Sequence, residues 1–142
     1  MILASLDDTR ALVQLIARRC PAGSLLLLAG PLGAGKTTLV QQLALELGSV
    51  AAVSSPTYTL IHEYPTPLGW LVHCDAYRLP SALTLIDLGL DDYLARSRLV
   101  VVEWGEELLS HYPQAWLLRL SLVGETRRAE LWQGDIPSLG NR

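Results

Sequence analysis

Hydrophobic and polar positions along the chain follow two different periods. From Asp7 to Arg19 apolar side chains recur at Leu12, Leu15 and Ile16, with Ala11 and Val13 beside them, after acids and a threonine suited to capping. That spacing predicts an amphipathic helix. Pro21, Ala22 and Gly23 stop it, and Ser24 to Ala29 is then a continuous apolar run, the pattern of a strand covered on both faces. A glycine-rich stretch follows at once. From Lys36 the helical spacing returns at Leu39, Val40, Leu43, Ala44 and Leu47, and Gly48 closes it in the C-terminal glycine role.

Further along, Ser54 to Pro67 holds three prolines and predicts an ordered loop with a strand around Thr57 to Tyr64. Trp70 to Cys74 and Leu99 to Val102 are short apolar runs that end on Asp75 and Glu103. Between them, Ala82 to Ala95 is helical in pattern but broken at Gly89, so two short helices are expected. Apolar and polar residues alternate from Trp116 to Trp132 around Gly124 and Glu125, which predicts a hairpin. Residues 1–134 read as a single domain, and 135–142 as a flexible tail. Strands alternating with helical segments imply an α/β fold with a mainly parallel sheet. Ligands of such sheets gather beyond the carboxyl ends of the strands, the edge where the glycine-rich stretch, Asp75 and Glu103 all fall.

Composition narrows the picture in three ways. The 142 residues, half of them hydrophobic, suffice for one core but not two. No uncharged apolar run approaches the roughly 18 residues of a membrane helix, and the acidic start MILASLDDTR lacks the basic and apolar regions of a signal peptide, so a cytoplasmic protein is expected. A net charge of −3, with no basic run beyond the pairs Arg18-Arg19 and Arg127-Arg128, argues against unaided nucleic-acid binding. Cys20 and Cys74 match no metal or redox spacing and are expected to be buried free thiols.

Ten of the eleven basic residues are arginine, and the single lysine, Lys36, stands inside GPLGAGKT, Gly30 to Thr37. Two glycines separated by four residues and followed by Lys and Thr form a phosphate-binding loop. Gly30, Gly33 and Gly35, with Ala34 between the last two, let the backbone bring successive N–H groups around phosphate oxygens. The following helix adds its N-terminal partial charge. Lys36 reaches the β and γ phosphates, the Thr37 hydroxyl is placed as a Mg²⁺ ligand, and Thr38 offers a hydroxyl contact deeper along the phosphate chain. Together with the strand and helix around it, the loop points to a three-layer fold of the P-loop NTPase type with a C-terminal β-hairpin.

Mg²⁺ needs further hard oxygens, and Glu103 and Asp75 are the candidates, each as a metal ligand or as the group that orients water. The ordinary alternative for each is a carboxylate at an exposed strand end. For His73 an unremarkable core or surface histidine is the simpler reading, since phosphate-bound Mg²⁺ prefers oxygen. Arg78 pairs either with a phosphate or with an acid such as Glu103. Thr57, in the hydroxyl-bearing segment SSPTYTL at Ser54 to Leu60, is the candidate γ-phosphate contact. Trp104, adjacent to Glu103, is expected to report nucleotide binding, although core packing would equally explain a tryptophan there.

Four strings in order, GPLGAGKTT at Gly30 to Thr38, SSPTYTL, HCDAYRL at His73 to Leu79 and VVEWGE at Val101 to Glu106, resemble the TsaE family, and GLDDYL at Gly89 to Leu94 is similar to a further family segment. The resemblance implies ATP as nucleotide, Mg²⁺ near Thr37, Asp75 and Glu103, and a switch-like loop at Ser54 to Leu60. It also implies TsaB and TsaD as partners. In that scheme TsaD threonylcarbamoylates adenosine 37 of ANN-decoding tRNAs and TsaE hydrolyses ATP to support turnover, meeting tRNA only through the complex. Hydrolysis is expected to be slow alone and faster with partners. Two other classes compete: a small-molecule kinase, whose lid would draw on Arg96 and Arg98, and an ATP-dependent binding module in which hydrolysis is incidental.

Overall fold

In β2 (Ser24–Ala29) the apolar run divides by parity. Leu26 and Leu28 enter one hydrophobic cluster, and Leu25 and Leu27 enter another on the opposite face, as side chains of a strand covered on both sides must. A computed structural model of the chain describes residues 1–31, 33–50 and 60–139. Two helices cover the first face: α1 (Leu6–Arg19) through Leu12, Val13 and Ile16, and α2 (Lys36–Glu46) through Leu39, Val40 and Leu43. The second is covered by α3 (Thr84–Asp87), α4 (Leu90–Arg96) and a short 3-10 helix, Glu106–Ser110, through Leu85, Leu90 and Leu108. These three layers bury each large side chain for roughly 1.5–3 kcal/mol relative to exposure.

The sheet runs β1 (Ile2–Leu3), β7 (Thr126–Gln133), β6 (Trp116–Val123), β2, β5 (Ser97–Glu103), β4 (Gly69–Asp75), β3 (Ile61–Thr66), and β8 (Ile136–Leu139) also pairs with β7. Its four central strands, β4, β5, β2 and β6, are mutually parallel. Every strand added outside them is antiparallel. The parallel core is joined through helices, whereas β3 and β4, β6 and β7, and β7 and β8 are each joined by a short turn. Among these, the expected hairpin turns between Val123 and Thr126.

Several boundaries differ from expectation. The cap of α1 is Ser5: its Oγ accepts from the Asp8 N–H at 3.3 Å, and the Asp8 carboxylate accepts from the Ser5 N–H at 3.2 Å. This reciprocal capping box starts the helix ahead of the acids. At the other end of the chain, the expected loose tail is instead partly strand, because Leu131, Trp132 and Gln133 offer their free edge to Leu139, Pro137 and Ile136. The helix α2 ends as predicted: Gly48, at φ 88, and Ser49 donate to the carbonyls of Leu45 and Ala44 at 3.0 and 2.9 Å, which satisfies two otherwise open carbonyls. Both thiols are buried and free. No helix among the described residues is long and apolar enough to cross a membrane.

Candidate nucleotide-binding site

The N-terminus of α2 has neither a side-chain cap nor an acid in its first turn. Its open N–H groups and partial positive charge therefore face the glycine-rich turn without compensation, the electrostatics of an anion site. Gly35 takes a left-handed φ of 94 at the cap, which a side chain would strain. Gly30 is required for space as well: a Cβ there would lie 2.7 Å from the Leu120 carbonyl oxygen.

Lys36 opens the helix and is buried. A cation at a helix N-terminus is unfavourable, and the ammonium turns back to donate to the Gly30 carbonyl at 2.8 Å. It also stands 4.1 Å from the centroid of the Trp104 ring, a cation–π contact. An ammonium has three donors. The others have no acceptor among the described residues, so a bound anion would improve the environment of this buried charge.

On one side of the loop, parallel register sets Asp75 and Glu103 as partners at the tips of β4 and β5. Their backbones are thus about 4.8 Å apart. Glu103 is buried and its Oε2 lies 2.6 Å from Nε2 of the fully buried His73. Nδ1 of that ring has no partner among the described residues, so the imidazole proton belongs on Nε2, where the carboxylate accepts it. One oxygen of Asp75 accepts from the Tyr77 N–H at 2.9 Å. Each acid keeps a second oxygen without a partner among the described residues. Two adjacent carboxylates repel, and a hard divalent cation held between them and the Thr37 hydroxyl would relieve that repulsion with oxygen ligands. The donor set fits Mg²⁺ chemistry.

Trp104 follows Glu103 in a left-handed conformation, φ 61, uncommon for a bulky residue. The turn folds the chain back so tightly that a Cβ on Gly105 would lie 2.6 Å from Val102 Cγ1. It brings the indole over Lys36 and within 5.1 Å of the Tyr77 ring centroid. The EWG string is therefore a device that turns an aromatic wall onto the lysine.

Gly33, Gly35, Lys36, Thr37, Thr38, Asp75, Glu103 and Trp104, separated by up to 71 positions in the chain, line one cleft of about 380 Å³, joined by Tyr77 and Arg127. Gly30 lies beneath it as the acceptor for Lys36, and Ala34 is buried in the core with its N–H bonded to Pro31 O at 3.2 Å. Thr57 falls outside the described residues. Glu103 takes His73 as its partner rather than Arg78, which is exposed. A cleft of similar size, about 370 Å³, opens near Pro21, Leu94 and Pro113 and has no Lys, Arg, Asp or Glu in its lining.

Arg127 was not anticipated. Its signal is a period-two row on β7, where Leu131 and Ala129 are buried on the α1 and α2 face and Arg127 continues the row to the loop edge. Recognising it needs the strand order, which places β7 beside β6 and β6 beside β2.

The sequence profile of the family described as "Threonylcarbamoyl adenosine biosynthesis protein TsaE" matches residues 3–130. The chain belongs to the TsaE family. The match reaches from β1 into β7, so the loop, both acids and Arg127 all lie within it. TsaE relatives named tRNA threonylcarbamoyladenosine biosynthesis protein include that of Streptomyces coelicolor, 48% identical over 139 residues, covering 94% of this chain and 92% of the relative. That of Bacillus subtilis is 35% identical over 136 residues, covering 96% and 83%, and that of Aquifex aeolicus is 36% identical over 130 residues, covering 90% of each. The crystal structure of the Bacillus subtilis protein YdiB is similar in fold, with a TM-score of 0.68 at 30% identity, covering 89% of this chain and 79% of that one.

Proposed function

We propose that this TsaE-family chain is a Mg²⁺-dependent ATPase that supports threonylcarbamoylation of adenosine 37 in ANN-decoding tRNAs together with TsaB and TsaD, meeting tRNA only through that complex. The observation that carries the reading is the buried Lys36 ammonium held at the uncapped start of α2, opposite Asp75 and Glu103. Phosphoryl transfer to water asks a protein mainly for positioning and charge stabilisation. The loop N–H groups cradle the phosphates, and Lys36 exchanges the Gly30 carbonyl for phosphate oxygens. Mg²⁺, when bound through Thr37 and the carboxylates, would neutralise charge shared by the β and γ phosphates. His73 fixes the rotamer of Glu103, and the two acids divide cation holding and water orientation between them.

A kinase lid finds less support. Arg98 donates to the carbonyls of Cys20 and Ala17 at 2.8 Å each, which closes the end of α1, and Arg96 pairs with Glu63 at 2.9 Å. Both arginines are thus engaged in structural contacts.

The test is repeated tRNA modification by purified TsaB and TsaD with this protein, alongside phosphate release. Wild-type protein is expected to sustain turnover in an ATP-dependent manner, and Lys36→Ala to lower phosphate release by about 10³-fold, the scale of a lost electrostatic stabiliser. Turnover indifferent to Lys36 overturns the ATPase reading. Phosphate transfer to a metabolite instead of water would favour a kinase, and full support of turnover by a variant that binds but cannot hydrolyse would favour a binding module.

A further inference from the structure

We propose that Arg127, supplied by the C-terminal hairpin, grips the α-phosphate of the bound nucleotide and so sets nucleotide retention. The inference rests on the ATP reading above and adds a residue on the opposite side of the loop from the acids.

Its placement follows from strand register. Ala29, the last residue of β2, pairs with Arg119, so residues 120–123 of β6 run on past the end of the phosphate-loop strand. β7 returns alongside, with Arg127 opposite Leu122. The hairpin therefore overhangs the loop. Arg127 is the outermost member of the row Leu131, Ala129, Arg127, and its guanidinium lies directly on Gly35: a Cβ built there would be 3.1 Å from Cζ and 3.2 Å from both Nε and Nη1. Three nearly equal distances mean that the flat face of the guanidinium meets the loop. Its N–H groups lie around the edge of that plane and remain free to bond in the cleft that Arg127 lines with Thr38. Among the described residues the guanidinium has no hydrogen-bond or ion-pair partner. A half-buried arginine held against a phosphate loop without an acceptor is matched chemically by a phosphate, which its planar fork binds in bidentate fashion.

The choice of phosphate follows from the opposite side. The γ-phosphate must face the oxygens that hold a cation and orient water, and these are Thr37, Asp75 and Glu103. Extended along the loop, the chain of phosphates then presents its nucleoside end toward Thr38 and the hairpin. Arg127 therefore contacts a group common to ADP and ATP, and its contribution is equal for both.

Binding of ADP and of ATP by the full-length protein, measured by calorimetry with Mg²⁺, together with steady-state hydrolysis and unfolding temperature without nucleotide, tests this. Arg127→Ala is expected to weaken ADP and ATP alike by about tenfold and to raise KM to match, with kcat within about threefold of wild type and the unfolding temperature unchanged. Arg127→Lys, which retains charge and most of the packing stem, is expected to recover part of the lost affinity. Unchanged ADP affinity with a fall in kcat would place the arginine on the γ-phosphate and overturn the proposal, as would ADP affinity untouched in every respect. Weaker binding accompanied by lower unfolding temperature in both variants would assign it a structural role. If wild-type protein binds neither nucleotide, the ATP reading itself fails, a result distinct from any of these.

Discussion

The two sides of the phosphate loop are built on opposite principles. On the acid side, β4 and β5 are parallel, in register to their last residues, and both belong to the buried centre of the sheet. Asp75 and Glu103 thus arrive side by side, and the buried His73 fixes one of them. On the hairpin side, β6 and β7 are antiparallel and outrun the strand they pack beside. The tip is exposed at Leu122 and Val123, at 56% and 48%, and Arg127, opposite Leu122, reaches back to the loop from that overhang. Chemistry that tolerates little displacement sits where backbone and side chain are both confined. A contact that grips the unreacting part of a ligand is carried by the side with fewer buried neighbours, the usual location of adjustable elements.

That contrast can be broken most directly at the acids themselves. β5 adjoins β2, the strand that leads into the phosphate loop, whereas β4 lies one strand further out. On the proposed ATPase reading, Glu103 is therefore expected to be the cation ligand and Asp75 the residue that orients water. Glu103→Gln is expected to lower hydrolysis by roughly 10²-fold and to shift its Mg²⁺ dependence to higher concentration, and Asp75→Asn to lower kcat similarly while the Mg²⁺ dependence stays in place. Titrating Mg²⁺ against phosphate release at saturating ATP distinguishes them. The reverse pattern would exchange the two roles, and an unchanged rate in both would remove the acid side from the chemistry. ADP affinity in both variants should remain near wild type, unlike that expected for Arg127→Ala.

Next in size is the effect on stability of removing the support beneath Glu103. In His73→Leu the Glu103 carboxylate keeps its burial and loses its hydrogen-bond donor, which costs about 1–3 kcal/mol. Leu122→Ala at the exposed tip should stay within about 0.5 kcal/mol of wild type. Denaturant unfolding measures both. Equal losses at the two positions would mean that the two sides are equally confined, contrary to the burial of His73 and the exposure of Leu122.

How far the sequence foretold this architecture depends on whether the signal was local. Ser24 to Ala29, the loop after it and Gly48 were legible because a buried strand, a phosphate turn and a helix stop each leave their marks on adjacent residues. Asp75 and Glu103 were legible because apolar runs end on them. The pairing of His73 with Glu103 was not, since it needs the lateral register of β4 on β5 across 30 positions. β1 and β8 escaped for a related reason: two and four residues carry too little periodicity, and their strand character comes from the free edge that β7 offers. Arg127 combined both difficulties, as half of an ordinary Arg-Arg pair whose partner surface is made by the order of three strands.

The smallest expected effect concerns the thiols, and it probes the acid side without altering the site. Cys74 lies between His73 and Asp75 but faces the opposite layer, and burial raises its thiol from the usual range to about 12, as it does for Cys20 on the other face. A raised thiol pKa means that the folded chain retains protons that the unfolded chain releases. Stability from these groups is therefore complete below about 9 and is lost as pH rises from there toward 12. At pH 8 both thiols are protonated as well as covered, so reaction with a disulfide reagent must wait for local or global opening. Labelling in native buffer is expected to be at least about 10²-fold slower than in denaturant. The informative measurement is the rate at Cys74, followed in a Cys20→Ala variant with and without Mg²⁺-ATP. If the acid side is already confined before ligand arrives, nucleotide will slow Cys74 labelling only by the increase in global stability, as seen in parallel unfolding. Slowing well beyond that increase would show that β4 and β5 tighten on binding, and that confinement of the acids is a property of the complex.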